Sequence, residues 1–136
     1  MKSNELNFES GILLTDQYQL TMAQLYFRLG LHESQAQFDH FFRSTPDYGI
    51  HQAGFCIHAG LGTLLDWLDM AHFGEQEINH LRNQKSAAGN PLFREDFLAW
   101  LKNQFSTKSI NLYAIPEGRA VHPNISLHVI EGLLAV

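Results

Sequence analysis

Ser109-Ile110-Asn111-Leu112-Tyr113-Ala114-Ile115, then Pro116-Glu117-Gly118, Arg119-Ala120-Val121-His122, Pro123-Asn124 and Ser126-Leu127-His128-Val129-Ile130: this stretch decides the fold class. Polar and apolar residues alternate along it, the period of a half-buried strand. The Pro-Glu-Gly and Pro-Asn interruptions supply turns. Working outward, the residues before it read mostly at helical period. Phe93, Phe97, Trp100 and Leu101 mark an amphipathic helix, and Glu75–Arg82 a shorter one anchored by Ile78 and Leu81. Leu61, Leu64, Leu65 and Leu68 give a third helix its stripe, with Asp66 and Asp69 turned to solvent. Helices first and strands later predict an α+β fold, not a doubly wound sheet.

Further towards the N-terminus, a helix is predicted over Asp16–Leu29. Asp16 is its N-cap, Gln19 completes a capping-box pattern and Gly30 ends it. Tyr18, Met22, Leu25, Tyr26 and Leu29 form the expected buried face. Ala36–Arg43 reads as a strand, with Phe38, His40 and Phe42 on one side and Asp39, Phe41 and Arg43 on the other. Pro46, Asp47 and Gly49 mark a loop, and Phe55–His58 a short strand.

The chain has 136 residues, 45% of them apolar, enough for one domain with its own core over 1–136. Charged residues are only 17%, the net charge is −5, and Lys and Arg do not cluster. A nucleic-acid binder needs a basic stripe, so none is expected. No stretch reads as a membrane span, since the charge-free run between Asp47 and Asp66 is broken by His51, Gln52, His58 and four glycines. Residues 1–14 lack the basic start and apolar run of a signal peptide. The single Cys56 excludes a disulfide framework and a cysteine zinc site, and suits a reducing cytoplasm. The apolar ending Ile130–Val136 reads as a chain entering another element.

Few residues announce chemistry. None of the eight histidines has HExxH or HxH spacing, so they read as scattered surface or half-buried residues and no metal site is expected. Cys56 and His58 would share a strand face with nothing to activate the thiol, so Cys56 reads as a core cysteine. Two candidates remain. Tyr18 opens a helix, where an aromatic platform and free N–H groups suit a planar anion; the plain alternative is that it begins the apolar stripe. Arg43 ends an aromatic strand and could clamp a phosphate; the plain alternative is a surface arginine with its stem laid on the protein.

Four blocks in order resemble the nicotinate phosphoribosyltransferase family. They are Leu13-Leu14-Thr15-Asp16-Gln17-Tyr18-Gln19-Leu20-Thr21-Met22-Ala23, Phe38-Asp39-His40-Phe41-Phe42-Arg43, Ala59-Gly60-Leu61, and Tyr113–Gly118 with Pro123 and Val129–Gly132. Each block alone is weak, but four in register from about residue 12 to 136 are specific. The resemblance implies an N-terminal domain of the nicotinate/quinolinate phosphoribosyltransferase type, followed in the family by an α/β barrel missing from these residues. It implies an enzyme joining nicotinate to phosphoribosyl pyrophosphate to give nicotinate mononucleotide, with ATP hydrolysis and Mg²⁺, in NAD salvage. It also implies a homodimer sharing active sites between subunits. Carried over by position, Tyr18 is the stacking tyrosine contributed to the neighbouring subunit, Asp16 the aspartate beside it, and Arg43 an arginine near the phosphates. The family's phosphohistidine lies in the barrel, so none of these eight histidines inherits that role and these residues alone are expected to be inactive. Leu133 stands where the family usually has proline. The alternatives are a non-catalytic dimerisation or interaction module, or a nicotinamide- or quinolinate-using relative.

Overall fold

The computed structural model describes residues 11–45, 47, 49–50 and 54–136. His51 and Pro46, named above in the loop, lie outside the described residues, as does most of the 1–14 segment. The elements are a 3-10 turn at Gly11–Leu13, α1 (Gln17–Arg28), β1 (Gln35–His40), β2 (Cys56–Ile57), α2 (Leu61–Met70), α3 (Glu75–Arg82), α4 (Glu95–Asn103), a second 3-10 turn at Thr107–Ser109, β3 (Asn111–Ala114), β4 (Ala120–Val121) and β5 (His128–Leu133). The fold is α+β, as the order of periods predicts.

Two antiparallel sheets form: β1-β5-β3, and the small β2-β4 pair. Register follows the pleat. Phe38 lies opposite Ile130 and His40 opposite His128, while Leu112 and Ala114 meet the same two residues from the other edge. Phe38, His40, Leu112, Ala114, His128 and Ile130 therefore share one face of the sheet. β1 stops at His40, three residues short of the predicted Arg43. Beyond it the Phe42 carbonyl accepts the Asn124 N–H at 2.9 Å, a turn contact that replaces the ladder. At the other end, Ser106 accepts the Lys108 N–H and holds a 3-10 turn, so β3 starts at Asn111 and not at Ser109.

The core lies among the helices. Phe97 and Leu98 are wholly buried, with Ile78, Leu81, Phe93, Trp100 and Leu101 around them and Phe73 and Ile12 closing the cluster. Rings of Phe27, Phe97 and Trp100 lie 5.7–5.9 Å apart, tilted or offset, the arrangements aromatic quadrupoles favour. Helix α1 meets this core with Leu20, Ala23 and Phe27. Gln24 helps to fix that face, its Nε2 donating to the Leu92 carbonyl and its Oε1 accepting the Arg94 N–H. The predicted face is thus the wrong one: Tyr18, Met22, Leu25 and Leu29 point out, 41–62% exposed. Leu65 of α2 is likewise exposed, and Trp67 takes its place on the inner side. The capping box does not form either. Asp16 is at the N-cap but its side chain makes no cap hydrogen bond, and the Gln19 amide turns to the Tyr18 hydroxyl instead.

The two faces of α1 and the core make different demands. In the 136-residue chain, Phe97→Ala should cost about 3–5 kcal/mol, the usual loss for a buried aromatic. Leu25→Ala should stay within about 0.5 kcal/mol. Urea denaturation of both variants checks the assignment.

Candidate functional site

Asp16 and Tyr18 sit at the start of α1, both exposed. The Tyr18 ring is held from its own helix: Gln19 Nε2 donates to the hydroxyl at 2.7 Å, and the Thr21 hydroxyl donates to the Tyr18 carbonyl at 2.9 Å. Its π-face stays open to a flat partner. Arg43 is exposed just past β1. Among the described residues, no hydrogen bond or ion pair joins Arg43 to Tyr18 or Asp16. Each of the three is exposed, and the contacts of the described residues do not bring them together.

A groove of about 460 Å³ runs beside α1. Gln19, Met22 and Tyr26 of α1 line one wall, Leu64 and Leu68 of α2 a second, and Phe38, Leu112 and Ile130 of the sheet a third. These are mostly apolar groups, so the groove offers packing and little charge.

The sequence blocks meet in pairs. β1, from the second block, is zipped along β5, from the fourth. The third block meets the Pro116-Glu117-Gly118 turn: the Gly118 N–H donates to the His58 carbonyl and the His58 N–H to the Arg119 carbonyl, both at 2.9 Å. Gly118 takes φ +81°, a left-handed conformation that suits glycine in this turn. Glu117 Oε1 then accepts the Leu61 N–H at 2.7 Å, capping α2 from outside the helix. A helix N-terminus attracts anions, and here a carboxylate of the chain already occupies it.

Three histidines that spacing scattered come together. His128 Nδ1 lies 2.9 Å from His40 Nδ1, and His128 Nε2 lies 3.1 Å from His58 Nε2. His58 and His128 are buried, and His58 Nδ1 has no partner. Burial pushes the His128 imidazole below its ordinary value, and the neighbouring His40 and His58 push the same way. The signal available in sequence was strand parity, which sets His40 beside His128 only once the β1–β5 register is known. Cys56 is free and half-buried on β2, opposite Val121. Among the described residues, no group of three or more His, Cys, Asp or Glu could hold a metal ion. No described helix is long and apolar enough to cross a membrane.

The family model described as the nicotinate phosphoribosyltransferase N-terminal domain matches residues 13–136, and the chain belongs to that family. Nicotinate phosphoribosyltransferase of Caenorhabditis elegans is 34% identical over 91% of this chain and 20% of its own length. The Bacillus subtilis enzyme of that name is 32% identical over 93% of this chain and 23% of its own. The crystal structure of human nicotinic acid phosphoribosyltransferase superposes with a TM-score of 0.68 at 30% identity, over 90% of this chain and 23% of that one. The chain thus spans about a fifth of the length of the relatives it matches.

The Glu117 cap can be weighed on its own. Glu117→Ala leaves the Leu61 N–H to water and should cost roughly 1 kcal/mol, a typical cap value. A shift of that size in the denaturation midpoint, without loss of cooperativity, is the expected result.

Proposed function

We propose that the full-length protein joins nicotinate to phosphoribosyl pyrophosphate, releasing pyrophosphate and forming nicotinate mononucleotide. The observation that carries this reading is the outward face of α1. Tyr18 is 55% exposed with its hydroxyl held and its ring unstacked, and Met22, Leu25 and Leu29 continue an apolar strip with no core to meet in this chain. A pyridine ring stacks on such a platform. Membership of the family and the names of its relatives supply the substrate class.

In this reading Tyr18 aligns the ring so that its nitrogen faces the anomeric carbon, an entropic contribution. Arg43 offers planar donors to phosphate oxygens as pyrophosphate leaves. Asp16, one residue before α1, sits beside the platform. Both α1 and the Arg43 loop face outward, which fits a homodimer whose sites take residues from each subunit. ATP and Mg²⁺ belong to the intact enzyme in this proposal.

The full-length protein is assayed with nicotinate, nicotinamide and quinolinate in competition. Nicotinate mononucleotide as the main product is expected. Preference for either other pyridine moves the protein to another branch, and no product with any of the three overturns the enzyme reading. Tyr18→Ala should lose about 1–3 kcal/mol in kcat/KM for nicotinate, the worth of a ring stacked on an aromatic side chain, while Tyr18→Phe keeps most of it. Unchanged kinetics in Tyr18→Ala would remove this residue from the site.

A further inference from the structure

The three histidines bridge the two sheets. His40 ends β1 and His128 begins β5, both in the three-stranded sheet. His58 follows β2 and belongs to the two-stranded sheet, bound by its backbone to Arg119 and Gly118. His128 is the middle ring and uses both nitrogens, one towards each neighbour. It stacks on His40 with an interplanar angle of 12° and meets His58 edge-on at 62°.

Proton counting sets what this chain tolerates. Each N···N contact holds one proton between a donor and a lone pair, and a neutral imidazole has one of each. Three neutral rings carry three protons, two of them inside the contacts. The third must lie on His40 Nε2 or on His58 Nδ1. Because His58 Nδ1 is buried without a partner, a proton there would be an orphaned donor. The favoured order is His58 Nε2–H to His128 Nε2, then His128 Nδ1–H to His40 Nδ1, with His40 Nε2–H at the exposed end. One added proton still leaves one hydrogen per contact, but it puts a hydrogen on both outer nitrogens, so His58 Nδ1 becomes a buried donor without an acceptor. A second added proton leaves two hydrogens facing each other in one contact, and that contact must open.

We propose that the His40–His128–His58 chain is an acid-sensitive tie between the two sheets, satisfied with three neutral rings, weakened by the first added proton and opened by the second. The strands packed against the three rings offer the added charge no carboxylate on this side among their described residues. On β1, Asp39 precedes His40 and has the opposite strand parity. On β5, Glu131 is three residues from His128, again opposite in parity. From β3, Ala114 lies across from His128, and Tyr113 pairs with Val129 on the other parity. From the β4 side, Arg119 gives its backbone to His58 while its side chain is exposed, and Glu117 is engaged at Leu61. Cys56, of the same parity as His58, is the remaining titratable side chain of β2.

The sign follows from the middle ring. His128 is held below its unfolded value, near 6.5, so the unfolded chain binds more protons in acid. The stability this site contributes is complete above about pH 6.5 and is lost as pH falls through the lowered native value.

The test is hydrogen exchange by mass spectrometry on the full-length protein at pH 7.5 and pH 5.5, corrected for intrinsic rates. Peptides covering 54–60 and 126–131 should lose about tenfold in protection at pH 5.5, the equivalent of one pKa unit. The helix at 95–103 should not change. His58→Gln replaces the ring that carries the orphaned nitrogen by an amide able to donate to or accept from His128 Nε2, and should abolish most of the acid loss in both peptides. Equal protection at both pH values in the unaltered protein would overturn the proposal. So would the same acid loss in His58→Gln.

Discussion

Residues His128–Leu133 pair with Gln35–His40 along one edge, and His128–Glu131 pair with Asn111–Ala114 along the other. β5 is the only described strand with neighbours on both sides. Side chains alternate strictly across a sheet, so a slip of one residue would exchange the two faces of the slipped strand. On the observed register, Phe38, Leu112 and Ile130 wall the groove, and His40 and His128 lie on the same face of the sheet.

The helical core and the sheet do different work. Phe97, Leu98, Ile78 and Leu81 bury their side chains within the chain. The sheet and the outer strip of α1 leave large apolar groups exposed, Phe38 at 54% and Tyr113 at 57% among them. That division puts the buried core in α3 and α4 and leaves exposed apolar surface on α1, β1 and the groove between them. The exposed ion pairs, Arg82–Glu95 and Arg94–Asp96, add little to either.

Most elements were legible because their periods are clear. α3 spans Glu75–Arg82 as its Ile78 and Leu81 anchors imply, and α4 buries Phe97, Trp100 and Leu101. The face of α1 was not legible. Leu20, Ala23 and Phe27 make a helical stripe as good as Tyr18, Met22, Leu25 and Leu29, and periodicity cannot choose between two apolar faces. The choice is made by tertiary contacts, Gln24 to the chain at Leu92 and Arg94 and Phe27 to Trp100. The histidine chain was invisible for a related reason: its contacts span 88 and 70 residues, and no local spacing encodes them. Glu117 was legible as part of a turn but not as a helix cap, because its partner lies 56 residues away. Tyr18, Asp16 and Arg43 came from the resemblance, and spacing alone offered each a plain structural reading.

The central claim, that β5 holds β1 and the groove wall in one register, has a direct covalent test. Opposed residues on antiparallel strands have Cα atoms about 4.5–5.5 Å apart, within the span of a disulfide. Gln37 and Glu131 are such a pair. In a Cys56→Ser background, the Gln37→Cys/Glu131→Cys protein should oxidise to a 37–131 disulfide, identified by peptide mass, with its cooperative unfolding retained. The one-residue control, Gln37→Cys/Ile130→Cys, places the two thiols on opposite faces and should stay reduced. A disulfide in the control and none in the opposed pair would contradict the account.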